Sequence, residues 1–321
     1  MTKPKIKWHQ SVITVLIGLG LTLITSIVLA QEQPGSQGSS GTGMAISPPT
    51  FELTGNPGDV IDNTIKLTNL SNRPITIGVD RRNFTAVGEE GAVGLTDEET
   101  TFSLASWITV SPSEVMIEPG QSQIFSFRTS VPYNAEPGGH FGSVIFKTGG
   151  QTPGSSGAAV AQEVASLILL RVAGQTTVSG EILSFTTNKS FYDYGPIDFE
   201  ARVINEGSVH IKPIGSITIN NMFGKQVDKI AIEPKNVLPD ATRRIPASWN
   251  KKYLIGKYTA TVVFSYGTNG ETMIKSTTFS GFPVKEGGII LAALLILLAI
   301  LFKMRKRLRL AFKILFGNYK A

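Results

Sequence analysis

Cysteine is absent from all 321 residues. That absence excludes disulfide staples, thiol nucleophiles, zinc ribbons and a lipid anchor on an N-terminal cysteine. Histidine is scarce: His9, His140 and His210 are the whole complement, and they lie far apart in the chain. Neither a second histidine nor a carboxylate cluster accompanies His140, so no metal site is nominated and no cofactor is implied. Acidic residues are missing from both ends, because all 24 lie between Gln31 and Glu286. The net charge of +6 therefore belongs to the termini; residues 31–286 carry 20 basic and 24 acidic groups, a net −4. Reading the basic termini as a nucleic-acid surface would be an error, and no nucleic-acid partner is expected. An exported chain without disulfides fits a bacterial source better than a eukaryotic secretory one, so the sequons at Asn69, Asn83 and Asn188 read as chance matches.

What is present at the ends is topogenic. Lys3, Lys5 and Lys7 precede an apolar run from Val12 to Leu29, and Ala30 closes it, which is the pattern of a signal peptide over 1–30. The run is long enough that retention as a signal anchor stays open. Near the other end, Ile289–Phe302 contains no polar residue. Its 14 residues cover about 21 Å as a helix, short of the ~30 Å hydrocarbon core. Flanking residues extend it, so a transmembrane helix is expected over 285–302, with Ile289, Leu294, Leu297 and Phe302 in the bilayer. Lys303, Arg305, Lys306, Arg307 and Arg309 crowd its far side and set a cytoplasmic C-terminus, with 303–321 a basic tail. The expected localisation is a single-pass cell-membrane protein with residues 31–286 outside. That tail also mixes its cations with Leu308, Phe312 and Ile314, a pattern compatible with lying on the inner leaflet.

Between these ends the pattern is β. Residues 31–44 are Gly/Ser/Gln-rich and read as a flexible linker. Ile61, Ile65 and Leu67 alternate with Asp62, Thr64 and Lys66; Phe125 and Phe127 alternate with Ser126 and Arg128. Pro119-Gly120 and Pro137-Gly138-Gly139 punctuate Ser111–Phe146, and a Gly-rich loop follows from Thr148 to Ala159. A second block has seven strand-like runs: Val178–Phe185, Ile197–Asn205, His210–Asn220, Gln226–Ile232, Thr242–Ala247, Gly256–Ser265 and Thr272–Phe282. The fold class expected is all-β: two tandem immunoglobulin-like β-sandwich domains, at 45–174 and 175–284. Their charges differ, with 7 basic and 14 acidic groups over 31–173 against 13 and 10 over 174–286.

Few residues invite chemistry. Gly138-Gly139-His140-Phe141-Gly142 leads into a strand, so it lacks the helix N-terminus of a phosphate loop; a tight corner needing positive φ and close backbone approach explains it better. Glu89-Glu90 and Asp97-Glu98-Glu99 lack the alternating spacing of a calcium loop and read as solvated. No carboxylate pair is nominated for hydrolysis, and the chain is not expected to be an enzyme. The aromatics Trp107, Tyr133, His140 and Phe141 are the binding candidates, although a place in the core is the competing reading for each and the one that the apolar run around Trp107 favours.

A resemblance follows from the order of short motifs. Pro57-Gly58 precedes a strand, then come Thr68-Asn69-Leu70-Ser71-Asn72, Ser106-Trp107-Ile108, Pro119-Gly120-Gln121-Ser122 and Ala135-Glu136-Pro137-Gly138-Gly139-His140-Phe141-Gly142. Asn205-Glu206-Gly207, Phe223-Gly224-Lys225, Val237-Leu238-Pro239-Asp240 with Arg243, and Gly256-Lys257-Tyr258 follow in the second block. Together with the topology, these resemble the extracellular region of the WxL-interacting proteins of bacterial surfaces. The resemblance implies peptidoglycan binding by the first domain and a WxL-type or other surface protein as partner. The competing expectation is a membrane-tethered assembly factor that offers a sheet edge to exported subunits by β-strand addition.

Overall fold

The computed structural model describes residues 43–148 and 162–316, the last eleven by backbone alone. The expected signal peptide, most of the 31–44 linker and most of the Thr148–Ala159 loop lie outside the described residues.

Alternation of buried and exposed side chains forms the strands. The first ten are β1 (Met44–Ser47), β2 (Thr50–Gly55), β3 (Val60–Asn69), β4 (Ile75–Val87), β5 (Ala92–Thr96), β6 (Ile108–Ser111), β7 (Glu114–Ile117), β8 (Ser122–Ser130), β9 (Gly138–Thr148) and β10 (Glu163–Val172). One sheet runs β1-β3-β8-β6 and the facing sheet β2-β10-β9-β4-β5, with β7 also on β4. The chain switches sheets between β1 and β2: β1 pairs antiparallel with β3, and β2 pairs parallel with β10. Ser166 Oγ and Leu167 N hold the corner, donating to the carbonyls of Pro48 and Pro49. Ile65, Leu67, Phe125, Phe127, Val144 and Phe146 meet between the sheets, all essentially inaccessible. Hydrophobic burial of this kind contributes about 25 cal/mol per Å². On the outer surface, Asp62 and Arg128 sit opposite each other across β3 and β8 and pair at 2.7 Å.

The second sandwich repeats the plan with β11 (Gly180–Thr187), β12 (Phe191–Tyr192), β13 (Ile197–Asn205), β14 (Ile214–Asn221), β15 (Gln226–Ile232), β16 (Thr242–Trp249), β17 (Gly256–Tyr266) and β18 (Glu271–Gly281). Its sheets are β11-β13-β16 and β12-β18-β17-β14-β15. Again the chain changes sheet, and the two-residue β12 pairs parallel with β18. This short strand is additional to the seven sequence runs. The run expected from His210 begins only at Ile214, because Ile211 bridges to Val237 and Pro213 cannot donate to a ladder. His210 and Lys212 are thereby free to face the first sandwich.

A buried asparagine closes the equivalent strand in each sandwich. Asn69 Nδ2 donates to the carbonyls of Arg73 and Ile117, while its Oδ1 accepts from Ser71 N. Asn205 Nδ2 donates to the carbonyls of Val209 and Val237, and its Oδ1 accepts from Gly207 N. Asn83 is likewise buried and committed to Glu98, Leu104 and Ala105. The sequons at Asn69 and Asn83 therefore present no free amide for a glycan.

Helix α1 (Val284–Phe316) starts after only Phe282 and Pro283. Its segment Val284–Arg305 is long and apolar enough to cross a membrane, and none of it is buried in protein. At 22 residues it spans about 33 Å, so the flanks supply the length that Ile289–Phe302 lacks. Ile289, Leu294, Leu297 and Phe302 are all exposed on it, and Lys303 and Arg305 follow on the same helix. Lys306, Arg307 and Arg309 lie where the backbone alone is described.

Candidate functional site

The sandwiches meet along a charged seam. The β4–β5 turn, carried by Gly88 and Gly91 at positive φ, presents Glu89 and Glu90 to the second sandwich. Arg202 on β13 grips Glu89 with two nitrogens, Nε at 2.7 Å, and Arg244 on β16 adds Nε at 3.1 Å. Arg244 also reaches Glu90 at 3.2 Å, and its backbone N–H donates to the Glu89 carbonyl. The hydrogen bonds from Arg202, reinforced by Arg244, hold the Glu89 carboxyl down at about 2. Glu89 is thus not the solvated side chain expected from the sequence, because its counter-ions come from more than a hundred residues away, whereas Glu90 remains 75% exposed.

The far side of the seam repeats the sign pattern. Glu52 on β2 accepts from Lys212 Nζ at 2.7 Å and from Asn236 Nδ2 at 2.8 Å. Burial works to raise its carboxyl, but these two hydrogen bonds prevail and keep it below the ordinary value. Between the ion pairs the backbones touch. Gly139 N donates to Ser208 O at 2.8 Å, and Gly138 adopts φ +148 with Ser208 O against it. The Gly-Gly step is therefore a close-approach site as expected, but the approaching chain is the second sandwich.

A cavity of about 410 Å³ opens between the two ion-pair groups. Its floor is the outer face of the first sandwich's six-stranded sheet, with Phe84, Leu167 and Leu169; its roof is residues 234–243, with Leu238 packed onto that floor. Arg243 lines the cavity and lies over Gly91. It donates to the Asn236 carbonyl, yet its Nε is buried without a partner, as is Asn236 Oδ1. No carboxylate pairs with Arg243 among the described residues, and burial pushes its guanidinium below the usual range. A half-buried guanidinium with no carboxylate partner, beside an apolar floor, is chemistry suited to a carboxylate on a partly apolar ligand. At the cavity's edge β5 pairs, among the described residues, with β4 alone, which leaves its other flank without a strand there. His210, half-buried nearby against Phe141, is pushed below its ordinary value by desolvation, and its inaccessible Nδ1 also lacks a partner.

The aromatics singled out from sequence divide between places. Trp107 and His140 come together, ring centroids 4.4 Å apart, beside an open hollow of about 280 Å³. Both His140 nitrogens face backbone carbonyls, of Ser103 and Glu136, so this ring on β9 ties the Ser103 segment to the β8–β9 loop. Tyr133 stands on the same loop with 90% of its surface exposed, its ring over Gly58. Phe141 faces the other side of β9, since neighbours in a strand alternate, and is buried with Phe84 and Leu169 under the second sandwich. Arg243 entered the sequence reading only through the resemblance. The unequal charge of the two blocks was the available signal for the seam.

No model of a known protein family matches the chain, and no curated protein matches it. Solved structures with a similar arrangement include the class 5 fimbriae chaperone CfaA, 14% identical, over 73% of this chain and 98% of that one, with a TM-score of 0.38. The Pseudomonas aeruginosa CupB2 chaperone is 8% identical over 74% of this chain and 100% of that one, with a TM-score of 0.36. The E. coli chaperone DraB is 13% identical over 74% and 96%, with a TM-score of 0.35. At these scores the likeness is one of general architecture and carries nothing about ligands.

Proposed function

We propose that this chain is a membrane-anchored binding protein that holds an extended segment of another exported or surface protein between its two sandwiches. In this reading α1 crosses the membrane with the sandwiches outside and Lys303, Arg305, Lys306, Arg307 and Arg309 on the cytoplasmic side. The partner segment adds to the open flank of β5, and a carboxylate on it neutralises Arg243 in the cavity. The guanidinium without a carboxylate carries the proposal, because a charge drawn partly out of water with no counter-ion is costly unless a ligand completes it. This is the tethered assembly-factor role, and it is one of binding without catalysis. It accommodates the surface-protein partner implied by the resemblance to WxL-interacting proteins.

The test is a titration of the full chain in nanodiscs with fluorescent peptides of alternating apolar residues, ending in a free carboxylate or an amide. The free acids are expected to bind. Arg243→Ala should weaken them by about tenfold or more, the equivalent of a charged hydrogen bond of about 1.5–3 kcal/mol. Arg243→Lys should restore part of the loss. Affinity indifferent to both the carboxylate and Arg243 would refute the assignment.

A second reading rests on the exposed Tyr133 ring, whose chain neighbours Pro132 and Asn134 line the Trp107–His140 hollow, as a platform on which a wall glycan would stack. Retention of the full chain on purified peptidoglycan, abolished by Tyr133→Ala, would support it over the cleft.

A further inference from the structure

The end of the second sandwich that gives rise to α1 exposes apolar side chains in a ring of lysines. Three strand ends converge there: Asn221 of β14 is opposite Tyr258 of β17, and Gly256 of β17 is opposite Gly281 of β18. The β14–β15 turn is tightly built. Asn221 Oδ1 accepts from the backbone of Phe223 and Lys225, and Gly224 takes φ +76. It holds up Met222 and Phe223, and Phe223 is 84% exposed. Met222 lies over Gly256, beside the exposed Ile255 and Tyr253. Lys225, Lys251, Lys252 and Lys257 surround this group, all exposed. The acidic groups on the neighbouring segments are Asp193, Asp228 and Glu286; Asp228 already accepts from Trp249 Nε1 and Glu286 from the Tyr194 hydroxyl.

We propose that this end of the second sandwich is seated in the headgroup layer of the bilayer, with Met222, Phe223 and Ile255 inserted and the lysines on anionic lipid headgroups. Continuity fixes the occupant. Only Phe282 and Pro283 separate β18 from the helix, and two residues reach no more than about 7 Å. The helix exit is also braced, by Tyr194 on Glu286 and by the Phe282 ring against Gly287. If α1 spans the membrane, the Met222–Lys225 turn is held at the lipid surface, where apolar tips flanked by lysines are the favoured composition. The sandwich would then stand in a fixed attitude on the membrane, a property separate from what its cleft binds.

The absence of cysteine gives a direct test. Single-cysteine variants Phe223→Cys, Ile255→Cys and, as an aqueous control, Tyr133→Cys carry an environment-sensitive fluorophore on the full chain in liposomes. Labels at 223 and 255 are expected to be blue-shifted and quenched by shallow doxyl lipids several-fold more than the label at 133. Adding anionic lipid should deepen the quenching, and Lys251→Gln with Lys252→Gln should remove that increment. Quenching at 223 and 255 equal to that at 133 in both lipid compositions overturns the proposal. So does a blue shift without lipid quenching, which would place a second copy or another protein on this face.

Discussion

Asn205→Leu is expected to destabilise the second sandwich by about 2–4 kcal/mol, with Asn69→Leu doing the same to the first by a smaller amount. Asn205 is fully buried, and leucine of similar size would leave Gly207 N and the Val209 carbonyl unpaired in the interior. The Val237 carbonyl keeps its bond from Ile211 N and adds little to the loss. Around Asn69 the partners Ser71 and Arg73 are only partly buried, so water replaces some of what is lost. Sandwich-resolved hydrogen exchange measures both effects in one sample, through the amides of β13 and β17 against those of β3 and β8. Equal protection in Asn205→Leu and the natural chain would show that the turn is held by its backbone alone. A larger loss at Asn69 than at Asn205 would show that burial is not what sets the cost.

Glu89→Lys is expected to part the sandwiches. Arg202 and Arg244 would face a third cation where a shared carboxylate now joins them; Glu200, on β13 itself, would still pair with Arg244 but bridges nothing across the seam, and of the seam's glutamates only Glu90 would remain to them. Acid should act on the natural chain in the same direction. The Glu89 carboxyl lies at about 2 in the closed seam against an ordinary 4.5, so its contribution is complete above 4.5 and disappears as pH falls towards 2. Glu52, lowered in the same sense, fades with it. Spin labels on Tyr133→Cys and Asn269→Cys report the separation of the sandwiches. The distance distribution should lengthen or broaden in Glu89→Lys at neutral pH, and in the natural chain only below about pH 4.5. In Glu89→Gln the acid response should shrink to whatever Glu52 contributes. A distribution unchanged in Glu89→Lys would mean that the Gly139–Ser208 contact and the Leu238 packing hold the seam by themselves. Opening would also dismantle the cavity at Arg243, so peptide affinity and label distance should change together.

Much of the architecture was legible in the sequence because it rests on local patterns. Period-two alternation around Ile65, Phe125 and Val262 places those side chains inward whatever the partner strand, and a run such as Ile289–Phe302 has few options but a helix in an apolar medium. Local patterning also explains the omissions. Phe191–Tyr192 is too short to show a period, and the run from His210 looks like strand until Pro213 and the Ile211–Val237 bridge interrupt it.

The site was hardly legible, because it is made by the meeting of two sandwiches. Sequence determined an all-β chain with charged, apolar and glycine-rich segments in a fixed order, and it put negative charge mainly in the first block and positive charge in the second. Only the tertiary structure decided what those charges do. It brings Glu52, Glu89 and Glu90 to Lys212, Arg202 and Arg244, and it leaves Arg243 unpaired in the gap between them. It also turns His140 into a loop clamp and sends Phe141, the next residue, into the seam. The physical reason is range. Side-chain alternation and turn chemistry act over a few residues and can be read along the chain, whereas an ion pair depends on a distance of about 3 Å between groups that the sequence sets more than a hundred residues apart.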